Sequence, residues 1–234
     1  MLEANDIHIG HRYFNGSKPN VADWQYLTIK QAADDHHRIV EFFKPLFSGP
    51  WISTGGSKSG VTALFHRRYY PNVVKASVAL VAPISRETED PRYNEYILTL
   101  GTEEERNTIK SYQRGLLLRK EQLVPKIDSL MKTYDYSFSL SAAQILEINA
   151  IEFWFSFWQY YEDFALEEIP DENASVDEYF DYFEEYGSTL YYSDPYLDYY
   201  KPLYYQIFTE LGYCKQYYGH LSDLLTEYPN FSYK

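Results

Sequence analysis

Trp51-Ile-Ser-Thr-Gly-Gly-Ser57-Lys-Ser-Gly60 runs from a β-type segment into a glycine-rich turn, and helical spacing resumes over Val61–Tyr69 before Pro71. A serine on a sharp turn between strand and helix is what a nucleophile elbow requires. The turn strains the serine backbone and lifts its hydroxyl clear of the sheet, and small residues two before and two after let strand and helix pass closely. Gly55 fills the first of these positions and Ser59 the second. The Lys58 amide, at the helix start, is then placed to donate to an oxyanion. A phosphate-binding loop would need glycine just before the lysine and again five residues earlier. Those places hold Ser57 and Ile52, so that reading fails.

Working outward, Val73–Pro83 (VVKASVALVAP) is a near-continuous apolar, β-branched run of the kind buried on both faces of a sheet. Upstream, Trp24–Phe47 has helical spacing and is closed by Pro45 and Pro50. Asn5–His11 alternates Ile7 and Ile9 as a short strand would. Strand, helix, strand, helix, strand is the pattern of a parallel sheet, so residues 1–90 are expected to be α/β. Beyond Pro91 glycine becomes rare and strand signals vanish. Helices are expected over Glu103–Tyr134, Ser141–Phe164, Ser175–Tyr186 and Pro202–Tyr213, making 91–234 a mostly helical cap.

Composition narrows the function classes. At about 150 residues per domain, a chain of 234 residues lies between one and two domains. A single Cys excludes an intrachain disulfide and a Cys-rich zinc site, and six His without Cys–His spacing make neither a metal nor a cofactor an expectation. Against 34 Asp and Glu stand 21 Lys and Arg; the net charge of −13 disfavours nucleic acid as a partner. No apolar run reaches the length of about 18 residues that spans a membrane, and the mean hydropathy is −0.48. MLEANDIHIG has neither the basic start nor the apolar core of a signal peptide. The 26 Tyr, 14 Phe and 4 Trp need burial, a cleft or a partner.

Several motifs taken together carry a resemblance. Ile9-Gly-His-Arg-Tyr-Phe14, Ser17-x-Pro19 and Trp24-x-x-Leu-Thr-Ile-x-Gln-Ala-Ala-x-Asp35-x-His37 lie upstream of the elbow. Val81-Ala-Pro83, Phe153-x-Phe-x-Phe-Trp-Gln159, Ile169-Pro170 and Tyr205-Gln-x-x-x-Glu-Leu-Gly-Tyr213 follow it. With them the chain resembles the PS-10 family of bacterial serine aminopeptidases, which are similar to lysosomal Pro-X carboxypeptidase and dipeptidyl-peptidase II. Two positions depart from that pattern: Gly10 stands where the family usually has Glu, and Ser59 where it has Gly.

The resemblance implies a partial α/β-hydrolase parallel sheet over 1–90 and a helical cap over 91–234. It implies Ser57 as nucleophile, peptide substrates with a free N-terminus, and a secreted or periplasmic location. The triad Asp and His follow the cap in that family, so this chain is expected to be part of a larger hydrolase, nearly inert and poorly soluble alone. An in-chain alternative in the order Ser, Asp, His would use Asp194 or Asp198 with His220. An aminopeptidase must also bind an α-ammonium. Glu147 and Glu152, on the apolar segment before FWFSFWQ, are the substrate-binding candidates, with solvent exposure or pairing to Arg114 or Arg119 as the structural alternative. His36 and His37 read as helix residues, His11 and Arg12 as structural groups at a strand end, and His66 as pointing away from Ser57. A serine exopeptidase is the leading function. An esterase or lipase on the same fold, or a non-enzymatic helical interaction module, are the alternatives.

Overall fold

The computed structural model describes residues 4–160, 166–187 and 189–233. It divides the chain into two compact units, one of residues 1–88 with 201–213 and the other of residues 89–200 with 214–234. Residues 201–213, read from the sequence with the helical portion, group with the first unit.

In the first unit, α1 spans Ile29–Phe43, β1 Ile52–Gly56, α2 Lys58–Tyr69 and β2 Ala76–Leu80. Thr28 starts α1 by accepting a hydrogen bond from the Gln31 amide, 3.2 Å. The helix therefore begins five residues later than the Trp24 expected; Trp24–Tyr26 is instead a separate 3-10 turn capped by the Asp23 carboxylate. β1 and β2 pair in parallel, with Ile52 opposite Ala76 and Gly56 opposite Leu80. The third strand expected at Asn5–His11 is absent: residues 4–11 have no strand structure and their amides join no ladder among the described hydrogen bonds. Two alternating isoleucines define a face but supply no neighbour to pair with. The expected three-strand pattern is thus a β–α–β pair, a small parallel sheet within a largely helical chain.

α2 packs on the strand pair, while Ile52, Val78 and Leu80 lie exposed, Leu80 at 57%. Uncovered apolar strand residues favour association. Val78→Lys is expected to lower the concentration-dependent self-association of the chain in sedimentation velocity without lowering its helix content.

The second unit holds α3 (Arg92–Ile97), α4 (Glu103–Leu118), α5 (Lys120–Met131), α6 (Ala142–Gln159) and α7 (Val176–Tyr186). Capping boxes start α4, α6 and α7, through Thr102 with Glu105, Ser141 with Gln144, and Ser175 with Glu178. The single helix expected over Glu103–Tyr134 breaks at Arg119, whose φ of −101° and ψ of 13° leave the helical region. The predicted extension of α6 to Phe164 ends at Gln159; residues 161–165 lie outside the described residues. Ile109, Tyr112 and Leu116 of α4 meet Ile145, Ile151, Trp154 and Phe157 of α6, and Tyr179 and Phe183 of α7, in one apolar core. Tyr112 and Tyr179 stack there at 5.7 Å, which accounts for part of the tyrosine excess by burial.

The expected Pro202–Tyr213 helix is displaced. α8 runs from Asp194 to Gln206, and a π-type turn follows over Ile207–Leu211. Pro195 suits the first turn of α8, where its missing N–H has no helical partner to lose. Short strands occur at Glu89–Asp90 (β3) and Tyr213–Cys214 (β4), where the sequence carries no strand signal.

Candidate active site

Gly56 ends β1 and Lys58 begins α2, so the whole change of direction falls on Ser57. Its φ of +51° and ψ of −125° lie in a region that residues with a Cβ rarely occupy. The surrounding hydrogen bonds hold it there: the Ser57 amide donates to the Leu80 carbonyl, 3.0 Å, and its carbonyl accepts from the Val61 amide, 3.1 Å. Strain of this kind persists where neighbouring structure over-determines it.

Gly55 makes the turn sterically possible. A Cβ there would sit 2.4 Å from the Ser59 carbonyl carbon and 2.8 Å from the Gly60 amide nitrogen, both backbone atoms that cannot swing aside. Gly60 is similarly confined, its hypothetical Cβ lying 2.9 Å from the Gly55 oxygen. Glycine is needed at the second close approach too, but one residue later than the elbow pattern places it. Gly55→Ala is expected to destabilise the first unit by about 3 kcal/mol, read from urea unfolding followed by Trp51 fluorescence.

Ser59 uses the space that its side chain occupies. Its hydroxyl lies 3.1 Å from Nε2 of His11, which ties the Gly10–Ser17 segment to the first turn of α2. That segment is itself fixed: Tyr13 and Asn15 take positive φ values of 69° and 46°. Arg12 donates to the Asp35 carboxylate, 2.6 Å, as well as to Gln31 and the Tyr26 carbonyl.

Lys58 Nζ lies over the Phe14 ring, 5.6 Å from its centroid, and burial lowers the Lys58 ammonium to about 8. Burial, together with Lys58 and His36, lowers His11 to about 4. The amides of Lys58, Ser59 and Gly60 have no intrahelical acceptor, as in the first turn of any helix. None of the six histidines hydrogen-bonds to Ser57.

The other sequence candidates lie in the second unit. Glu147 is fully buried, and its two oxygens accept from Lys120 Nζ at 2.7 Å, from the Thr226 amide and hydroxyl, and from the Glu227 and Tyr228 amides. The chain itself supplies these donors to the carboxylate, which favours the structural alternative over a substrate-binding role. The ion-pair partner is Lys120, not Arg114 or Arg119: Arg114 binds Asp223, and Arg119 donates to backbone carbonyls.

Glu152 differs. It accepts from the hydroxyls of Tyr192, 2.7 Å, and Tyr233, and no cation pairs with it among the described residues. Burial raises its carboxyl.

Within the second unit neither Asp194 nor Asp198 is hydrogen-bonded to His220. Asp194 accepts from the Ser139 amide, 2.8 Å, and Asp198 is exposed. His220 Nε2 lies 2.9 Å from the Gln113 side-chain oxygen, and its Nδ1 has no partner. Burial, with Lys110 and Arg114, lowers His220 to about 4, a poor base at neutral pH. Among the described residues no group of three His, Cys, Asp or Glu side chains is placed to hold a metal ion, and no helix is long and apolar enough to cross a membrane.

The local pattern placed the strand–turn–helix junction at Ser57 and the glycine at 55, while the His11–Ser59 bond and the enclosure of Glu147 were missed. The first had one signal, the small but polar residue at position 59. The second had none, because its backbone donors lie 79 to 81 residues away in the chain.

The description PS-10 peptidase S37 belongs to the family model that matches residues 1–233. The chain is 34% identical over 215 residues to the prolyl tri/tetrapeptidyl aminopeptidase of Streptomyces mobaraensis, covering 91% of this chain and 45% of that protein. It is 31% identical over 99 residues to the thymus-specific serine protease of Mus musculus, covering 39% and 19%. It is also 31% identical over 94 residues to the lysosomal Pro-X carboxypeptidase of Bos taurus, covering 36% and 19%. The chain spans less than half the length of each of these curated relatives. No solved structure matches it.

Proposed function

The chain belongs to the PS-10 peptidase S37 family, and from that membership we propose that it carries the nucleophile of a serine exopeptidase that releases short peptides from free N-termini through an acyl-enzyme. The observation that carries this reading is the backbone of Ser57, held at φ +51° on the β1–α2 turn with Gly55 clearing the passage of the helix. In the proposed reaction the Ser57 hydroxyl attacks the scissile carbonyl while a base takes its proton. The oxyanion accepts from the Lys58 amide, and the leaving amine takes the proton back as the acyl-enzyme forms.

The base and the carboxylate that orients it are assigned to sequence outside residues 1–234. Support comes from the lack of any histidine on Ser57 and from relatives about twice as long. β1 and β2 are then two strands of a hydrolase sheet. Proline is the favoured residue before the cleaved bond, by analogy with the relative named a prolyl aminopeptidase.

The test uses the gene product that carries residues 1–234. A tripeptide p-nitroanilide ending in proline should be cleaved with a free N-terminus and at least about a hundredfold more slowly when N-acetylated, the loss expected when a subsite made for a charged amine meets a neutral one. Equal rates on both, or faster cleavage of a p-nitrophenyl ester lacking an amine, would remove the exopeptidase reading.

A further inference from the structure

Four of the six histidines gather between α1 and α2, around the first unit's contact of helix with helix. The ring of His36 on α1 lies 5.9 Å from that of His11 and 6.0 Å from that of His66 on α2. His37 stacks on Tyr70 at 3.9 Å, and Tyr70 also meets His66 at 5.9 Å. His66 is 1% exposed with neither ring nitrogen hydrogen-bonded, and on the half-buried rings of His36 and His37 the enclosed atoms Nε2 and Nδ1 respectively are likewise unpartnered. Buried polar atoms are ordinarily satisfied, so four such nitrogens in one contact are an anomaly that calls for an account.

We propose that this histidine cluster makes the α1–α2 contact an acid-sensitive latch, in which proton uptake by the imidazoles parts the two helices and loosens the turn that α2 anchors.

The charges facing the cluster compensate imidazolium ions only in part: Asp35 favours the charged form of His36, and Glu41, which faces His37, is bound by Lys44. From α1, Asp35 is the carboxylate near His36, and it is bound by both Arg12 and Arg38. Asp34 is bound by Lys30 and by the Tyr70 hydroxyl. From α2, Lys58 adds positive charge toward His11 and His36. β1 and β2 contribute no titratable side chain. A proton on His11 or His36 therefore sits beside another imidazole and a lysine, and one on His66 beside the rings of His36 and His37, in a place where an unpaired charge is costly.

The direction of the pH effect follows. Burial lowers all three linked imidazoles below their ordinary value, His11 and His66 to about 4. The unfolded chain then binds more protons than the folded one below about pH 6.5, so stability present above that pH is lost as pH falls toward 4. Neighbouring rings repel one another's charge, so the uptake is shared among them and not assigned ring by ring.

Hydrogen exchange of α1 and α2 amides in the full chain tests this between pH 7.5 and 4, with rates corrected for intrinsic pH dependence. Protection is expected to fall by up to about tenfold per pH unit for each proton taken up and to recover on return to pH 7.5. His66→Phe keeps an aromatic ring and removes two of the orphaned nitrogens; it should move the midpoint to lower pH. His8→Ala, at an exposed residue outside the cluster, should leave the midpoint in place. Protection unchanged down to pH 4, or equal midpoints in wild type and His66→Phe, would overturn the proposal. Should His66→Phe fail to fold, titration of the wild-type imidazole proton signals decides. Apparent values below about 5 support the latch, and values at or above the ordinary 6.5 contradict it.

Discussion

Glu147→Ala should destabilise the second unit by about 3–5 kcal/mol, the range seen when one partner of a buried charge pair is removed. The substitution leaves the Lys120 ammonium and three amides, those of Thr226, Glu227 and Tyr228, without the acceptor they share in the native structure. Burial alone would raise this carboxyl, but Lys120 and Thr226 outweigh burial and hold it below its ordinary value. The contribution is therefore complete above the ordinary carboxylate range and fades as pH falls through the lowered value. Glu147→Gln, which keeps the shape and one acceptor oxygen, should lose less. Thermal unfolding gives the size of the effect. Hydrogen exchange at residues 226–228 gives its place, since those amides should lose protection before the α4–α6 core does.

Ser57→Ala has the larger expected effect on chemistry. In the gene product that carries this chain, turnover should fall by about 10⁶-fold, as when a nucleophile that acts with a base is deleted. KM should change little, because the hydroxyl contributes to bond making and not to holding the peptide. Ser59→Ala is the contrasting variant. It breaks the bond to His11 and leaves the nucleophile, so a loss of turnover far smaller than that of Ser57→Ala is expected. Equal losses in the two would mean that the β1–α2 turn, and not the Ser57 hydroxyl, is what activity depends on.

The elbow was legible because its determinants are local. Glycine at 55, serine at 57 and an apolar β-branched run after Pro71 specify a turn between strand and helix within some thirty residues. Helix α6 was legible for the same reason, with Ser141 and Gln144 spelling out its start. What escaped the sequence reading depends on partners distant in the chain or absent from it. Asn5–His11 has the alternation of a strand but no neighbour to pair with among the described residues. Asp194-Pro195 is a helix start that looks like a loop inside a tyrosine-rich segment, and it moved α8 upstream of the expected boundary. Glu147 and Glu152 show the same limit. Both are acidic residues on an apolar helix, and only folding decides that one is saturated by a returning segment while the other is held by two tyrosine hydroxyls.

The central claim, that Ser57 is the reacting hydroxyl, is most directly tested by fluorophosphonate labelling of the gene product carrying residues 1–234, followed by peptide mapping. The account predicts one adduct, on Ser57, absent from Ser57→Ala and slowed by a proline-ending peptide with a free N-terminus. An adduct on Ser53, Ser59 or Ser77 with Ser57 unmodified, labelling that survives Ser57→Ala, or a folded protein that takes no label would contradict it.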